Sequence, residues 1–91
     1  MKTIWKYTLN IADTQTLEFP VGSEILSAVE QDGKIVMYAL VNPNQDEKMI
    51  IRVRVYGTGH EVNDEIQSYK FLNSVKFSDT LIMHVFYEIQ Y

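Results

Sequence analysis

The dipeptide Asp32-Gly33 most constrains what this chain can fold into. It separates two apolar runs, residues 24–31 and 34–42, and Asp-Gly between such runs is a strong signal for a tight β-hairpin. The type I′ turn of that hairpin needs positive φ at both central positions. The second arm is apolar on both faces, so it is predicted to be a central strand, covered on both sides or facing a partner.

Alternation of apolar and polar residues with period two predicts five further strands. In the first, Trp5, Tyr7 and Ile11 share one face, opposite Lys2 and Lys6. The strand predicted over residues 68–77 is expected to bulge near Asn73, and a turn is expected at residues 13–15. The predicted ranges of these five strands are 2–11, 16–19, 48–56, 68–77 and 81–89.

The composition agrees with a β-rich fold. Val, Ile and Thr number 24 and the aromatic residues 11, whereas Ala occurs only 3 times. β-Branched and aromatic side chains suit a pleated, half-buried surface and lose rotamer freedom in helices. The prediction is a single all-β domain over residues 1–91: a small antiparallel sandwich or partly closed barrel of about seven strands. The alternative is an α+β domain with one short helix near residues 63–70, for which Asp64 would be the N-cap.

Charge and cysteine content exclude several classes of function. The net charge is −4, which argues against a general nucleic-acid binder because such proteins need a dense positive field. The chain has no cysteine, so thiol catalysis, thiolate metal sites and disulfides are excluded. Neither a signal-peptide h-region nor a membrane-length apolar run is present. We therefore expect a cytoplasmic protein that does not enter a membrane.

The loop at residues 57–60 is the most informative candidate site. Two glycines two residues apart allow positive φ and a close approach of a ligand, and successive N–H groups in such a turn can bind an anion. Arginines on the preceding strand would support a phosphate or carboxylate. The competing interpretation is a strand-ending turn that needs glycine for its geometry alone. The predicted ligand-binding residues are Arg52, Arg54, Tyr56, Gly57, Thr58, Gly59 and His60.

The sequence predicts no catalytic residue, no metal site and no cofactor. His60 has carboxylates near it in sequence, yet the helical zinc motif needs a second histidine four residues later. His84 lies in the middle of a predicted strand and is expected to be packed or hydrogen bonded. If the predicted strands over residues 2–11, 48–56 and 68–77 adjoined, their outward lysines and arginines would form a basic stripe. The simpler interpretation of these charges is a solvated outer face that protects strand edges.

The aromatic residues exceed what one small core requires. Trp5, Phe19, Phe71, Phe77 and Phe86 are core candidates, as is Tyr7. The surplus tyrosines indicate an interface, where tyrosine is enriched. Together with the doubly apolar strand, they predict a homodimer formed by sheet packing or edge pairing. The surplus tyrosines are Tyr38, Tyr56, Tyr69, Tyr87 and Tyr91.

Several short segments resemble, in the same order, a family of short uncharacterised proteins encoded by phages and prophages. They are residues 2–9 (KTIWKYTL), 20–26 (PVGSEIL), 38–43 (YALVNP), 57–60 (GTGH) and 84–88 (HVFYE). The resemblance implies expression inside a bacterial host cell and supplies no activity or cofactor. We expect a non-enzymatic accessory protein that binds a host protein or a small anionic, nucleotide-like ligand, as counter-defence proteins do. The alternative is a structural or assembly module of a phage particle.

Overall fold

The computed structural model describes residues 1–10 and 12–90 and shows seven strands in two antiparallel sheets. One sheet has the order β1-β4-β3 and the other the order β2-β5-β7-β6. The sheets remain separate, which confirms the all-β prediction in its sandwich form. The strands are β1 (Thr3–Thr8), β2 (Thr14–Pro20), β3 (Glu24–Gln31), β4 (Lys34–Val41), β5 (Lys48–Gly57), β6 (Lys70–Ser78) and β7 (Leu81–Gln90).

The predicted hairpin joins β3 to β4. Gln31 pairs with Lys34, and the two residues between them have φ of 53° at Asp32 and 79° at Gly33. Both values are positive, as a type I′ turn requires. The Glu30 carboxylate accepts a hydrogen bond from the Gly33 N–H at 2.6 Å. The turn chemistry inferred from the dipeptide is therefore confirmed.

The connection between β1 and β2 differs from the prediction. β1 ends at Thr8, and β2 begins at Thr14 instead of Thr16, so the expected turn at residues 13–15 is wrong. The Gln15 side chain accepts from the Asn10 N–H at 2.9 Å and donates to the Asn10 carbonyl at 3.1 Å. This side chain satisfies the loop backbone from within the strand. Ile11, predicted to continue β1, lies outside the described residues.

The core fills the space between the sheets. β4 contributes Met37, Ala39 and Val41, all fully buried, and it faces Phe19 and Ile51 from the other sheet. The outer face of β4 is also apolar: Val36 is buried there, and Tyr38 and Leu40 are half-buried. The apolar character of both faces of β4 is therefore confirmed.

A β-bulge in β6 changes which side chains enter the core. The register shifts between Phe71, opposite Phe86, and Asn73, opposite Val85. Phe71 consequently lies on the outer face with 57% of its surface exposed, although alternation predicted it to be buried. Trp5 is also more exposed than predicted, at 38%, because β1 is an edge strand. The bulge itself was expected at this place.

The short helix alternative is realised as a 3₁₀ helix, Asp64–Ser68, between β5 and β6. Its N-cap is Asn63 and not Asp64, since the Asn63 side chain accepts from the Glu65 N–H at 2.9 Å. Across residues 1–10 and 12–90, no helix is both long enough and apolar enough to cross a membrane.

Candidate functional site

The outer face of the four-stranded sheet carries three of the seven predicted site residues. Arg52, Arg54 and Tyr56 occupy alternate positions of β5 and point away from the core. A basic stripe would require β1, β5 and β6 to adjoin, and these strands do not. β1 lies in the other sheet, and β7 separates β5 from β6. On this face, β5 carries the cationic residues Lys48, Arg52 and Arg54.

The two arginines share a polar recess with residues of β2. Thr14 is opposite Arg54 and Thr16 is opposite Arg52 in the β2–β5 register. These four residues line a recess of about 350 Å³ together with Tyr69, which follows the 3₁₀ helix. Guanidinium and hydroxyl groups donate hydrogen bonds, so the set suits an anion and not a metal cation.

Arg54 is held rigidly in this recess. Its Nη2 lies 2.8 Å from Glu65 Oε2, its Nη1 donates to the Tyr56 hydroxyl at 3.3 Å, and its guanidinium carbon lies 5.0 Å from the centroid of the Tyr69 ring. The hydrogen bond with Tyr56, followed by the interaction with Tyr69, raises the pKa of Arg54, so the side chain stays charged. Its Nε is buried and has no hydrogen-bond partner within the described part of the chain.

Arg52 is exposed and less constrained. It is opposite Glu88 of β7, whose carboxylate accepts a hydrogen bond from the Ser68 hydroxyl at 3.0 Å. Within residues 1–10 and 12–90, Arg52 forms no ion pair. The recess thus combines one fixed guanidinium with one that can move towards a ligand.

The loop at residues 57–60 is a β-turn that uses its own polar groups. The His60 N–H donates to the Gly57 carbonyl at 3.1 Å, and Gly59 has φ of 88°. The Gly57 N–H donates to His60 Nδ1 at 3.2 Å, and the Thr58 N–H donates to the Ile82 carbonyl at 3.1 Å. The turn therefore directs three of its N–H groups to partners within the protein. This geometry favours the strand-ending interpretation of the loop.

His84 organises the end of the sheet next to that loop. Its Nε2 lies 2.7 Å from the Thr58 hydroxyl and its Nδ1 lies 2.7 Å from the Ser74 hydroxyl. Neutral imidazole has one donor and one acceptor nitrogen, so one hydroxyl accepts and the other donates. The expected hydrogen-bonded role of His84 agrees with this arrangement. His84 of β7 therefore links Ser74 of β6 to the turn that follows β5.

The structure divides the predicted site residues between two places. Arg52 and Arg54 line the recess, with Tyr56 bonded to Arg54, whereas residues 57–60 form the turn beside His84. Sequence reasoning missed Thr14, Thr16 and Tyr69. The two threonines alternate on β2, but their position beside the arginines depends on a strand pairing that no local pattern reveals.

A comparison with protein families matches the whole chain. The model of a domain of unknown function, DUF7352, covers residues 1–91. The chain belongs to this family. The DUF7352 match confirms the expected relation to a family of unknown function. No curated protein and no solved structure matches the chain.

Proposed function

We propose that this DUF7352 protein is a non-enzymatic binding module that takes a small anionic, nucleotide-like ligand in the recess between β2 and β5. The observation that carries the proposal is the convergence of two guanidinium groups and two threonine hydroxyls on one recess. The resemblance to phage and prophage proteins supports an accessory role in the cytoplasm of a bacterial host, as for a counter-defence protein.

The chemistry of the recess favours a phosphate or carboxylate. An arginine fork donates two parallel hydrogen bonds to such groups, and charge-assisted bonds are about twice as strong as neutral ones. Arg54 is already oriented by Glu65 and Tyr56, which reduces the entropy lost on binding. The Arg54 guanidinium lies over one face of the Tyr69 ring, and the part of the ring that lines the recess offers a surface for a nucleobase.

The arrangement around His84 supports a binding role over a hydrolytic one. Ser74 and His84 have the contact of a nucleophile with its base. The other ring nitrogen meets the Thr58 hydroxyl, whereas the hydrolase triad places a carboxylate there to stabilise the imidazolium. Hydroxyls on both nitrogens suit a structural link between strands.

The proposal is tested by thermal shift and calorimetry with inorganic phosphate, a nucleoside monophosphate and cyclic nucleotides. A ligand at one hundred times its Kd stabilises the folded state by about 2.7 kcal/mol, which raises Tm by roughly 10–20 °C in a domain of this size. Arg52→Ala is expected to weaken binding about tenfold or more, and Thr16→Val less. Lys48→Ala is the matched control, because it removes a cation from the same face of β5 outside the recess.

Two outcomes would contradict the anion site. One is the absence of any shift with every probe. The other is an equal loss of affinity in Arg52→Ala and Lys48→Ala, which would mean that only overall charge matters. The salt dependence of binding gives a further check, because an exposed guanidinium contact weakens as ionic strength rises.

A second candidate function rests on the outer face of the three-stranded sheet. Ile4, Leu26 and Val29 expose 58%, 41% and 39% of their surfaces there, beside half-buried Leu40. A contiguous apolar surface indicates a protein partner. This face would suit a host protein or the neighbouring subunits of a phage particle. Mass spectrometry of purified particles separates the two, since an assembly module must be present in them.

A further inference from the structure

The four edges of the two sheets are protected unequally. At the β3 edge, Asn73 of β6 bonds both the N–H and the carbonyl of Ala28. β6 contains two register shifts, which disrupt pairing along its free edge. β2 ends with Pro20, which has no N–H to offer, and whose carbonyl accepts from Ser23. Such devices discourage the addition of another strand.

β1 has none of these three devices within the described residues, and Lys6 is its one charged residue. It pairs with β4 over all six of its residues without a register shift, and five of the six are exposed. The Leu9 N–H donates to the Ile35 carbonyl of the hairpin at the start of β4. Because backbone groups alternate in direction along a strand, those of Ile4, Lys6 and Thr8 point away from β4. They form a row of donors and acceptors at the free edge.

We propose that β1 pairs antiparallel with β1 of a second copy, joining two three-stranded sheets into one six-stranded sheet. A two-fold axis perpendicular to the sheet keeps the core-facing side of both copies on the same side. Directly opposed residues point to the same face, so a core-facing residue must oppose a core-facing residue. This rule excludes every register that places Trp5 opposite Lys6.

Charge then selects among the registers that remain. A two-fold axis at Lys6 would place Lys6 of one copy opposite Lys6 of the other. An axis at Ile4 would place Lys6 of one copy opposite Lys2 of the other. Like charges directly opposed in a sheet are destabilising. An axis at Trp5 avoids both contacts and opposes Lys6 to Ile4. An axis at Thr3, Tyr7 or Thr8 also keeps the lysines apart but pairs at most three residues of β1, whereas the axis at Trp5 pairs five. The register centred on Trp5 therefore gives the longest pairing without opposed like charges.

That register uses the groups that the monomer leaves open. Ile4 and Lys6 of each copy exchange backbone hydrogen bonds, because their N–H and carbonyl groups face the free edge. The two Trp5 residues form a non-hydrogen-bonded pair, in which side chains approach most closely. Each Trp5 is 38% exposed in the monomer, and an aromatic cross-strand pair covers that surface. The inference is independent of the anion recess, which lies on the other sheet.

Disulfide trapping tests the register. Because the chain has no cysteine of its own, an introduced cysteine can form a disulfide only with the same residue of a second copy. Trp5→Cys is expected to form a disulfide-linked dimer under mild oxidation, because opposed Cα atoms of such a pair lie about 4.5 Å apart. Thr8→Cys is the control on the same exposed strand. In the proposed register, residue 8 of one copy lies opposite residue 2 of the other. The two copies of residue 8 are therefore six residues apart along the strand, roughly 20 Å, and should not cross-link. Equal cross-linking of both variants would refute the register.

Light scattering at increasing protein concentration tests the dimer itself. Lys6→Pro removes an N–H that faces the free edge and leaves the bonds to β4 intact, so the dimer Kd should rise about tenfold or more. Lys6→Ala keeps that N–H and should remain dimeric. Circular dichroism shows whether Lys6→Pro stays folded. A wild-type protein that is monomeric at about 100 μM would overturn the proposal, as would a dimer that Lys6→Pro does not weaken and Trp5→Cys does not trap.

Discussion

The two sides of the sandwich are closed by different chemistry. On the β3–β6 side, the Asn73 amide donates to the Ala28 carbonyl at 2.8 Å and accepts from the Ala28 N–H at 2.9 Å. On the β1–β2 side, the Tyr7 and Phe19 rings stack at 3.9 Å between centroids. The amide occupies both backbone groups of Ala28 on its edge strand. The aromatic stack joins the sheets through side chains alone and leaves the β1 edge free to pair.

The largest effect is expected from removing the aromatic stack. Phe19 is fully buried, so Phe19→Ala loses apolar burial and opens a cavity between the sheets. We expect a loss of about 3–5 kcal/mol in the free energy of unfolding, measured by urea denaturation. Phe71→Ala is the matched control on the exposed outer face, with about 1 kcal/mol or less. Equal losses would show that the stack is not what closes this side.

A smaller effect is expected from the polar side. Asn73→Ala removes both hydrogen bonds to Ala28 and leaves two backbone groups of a buried residue without partners. The expected loss is about 2–3 kcal/mol. Hydrogen exchange should show that the Ala28 amide loses protection. Asn44→Ala, in the exposed loop after β4, is the control and should leave both quantities nearly unchanged.

The smallest effect concerns pH on the aromatic side. Burial raises the pKa of Tyr7 above its ordinary value of 10.0. The unfolded chain therefore loses this proton at a lower pH than the folded protein. The contribution of this raised pKa to the free energy of unfolding is fully present below about pH 10 and is lost as the pH rises above it. Tyr7→Phe should make this decline in the free energy of unfolding shallower.

The candidate site was predictable in part. Arg52, Arg54 and Tyr56 share a face because β5 alternates, and alternation is a local property of the chain. Their partners come from elsewhere: Thr14 and Thr16 from β2, Glu65 and Tyr69 from the segment that crosses the sheet. No local pattern specifies that β2 pairs with β5. The anion recess therefore follows from strand order, whereas the turn at residues 57–60 follows from its own glycines.

The sequence by itself determined the class of fold, the Asp32-Gly33 turn, and the apolar faces of β4 and β5. Each of these depends on backbone geometry within a few residues, so it can be inferred without knowing what lies nearby. Only the tertiary structure decided that Trp5 lies at an open edge, that Phe71 faces solvent and that Asn73 bridges the sheets. Those properties depend on which strands become neighbours. Neighbours are selected by burial and hydrogen bonding over the whole domain, as the pairing of Asn73 with Ala28 across 45 residues shows.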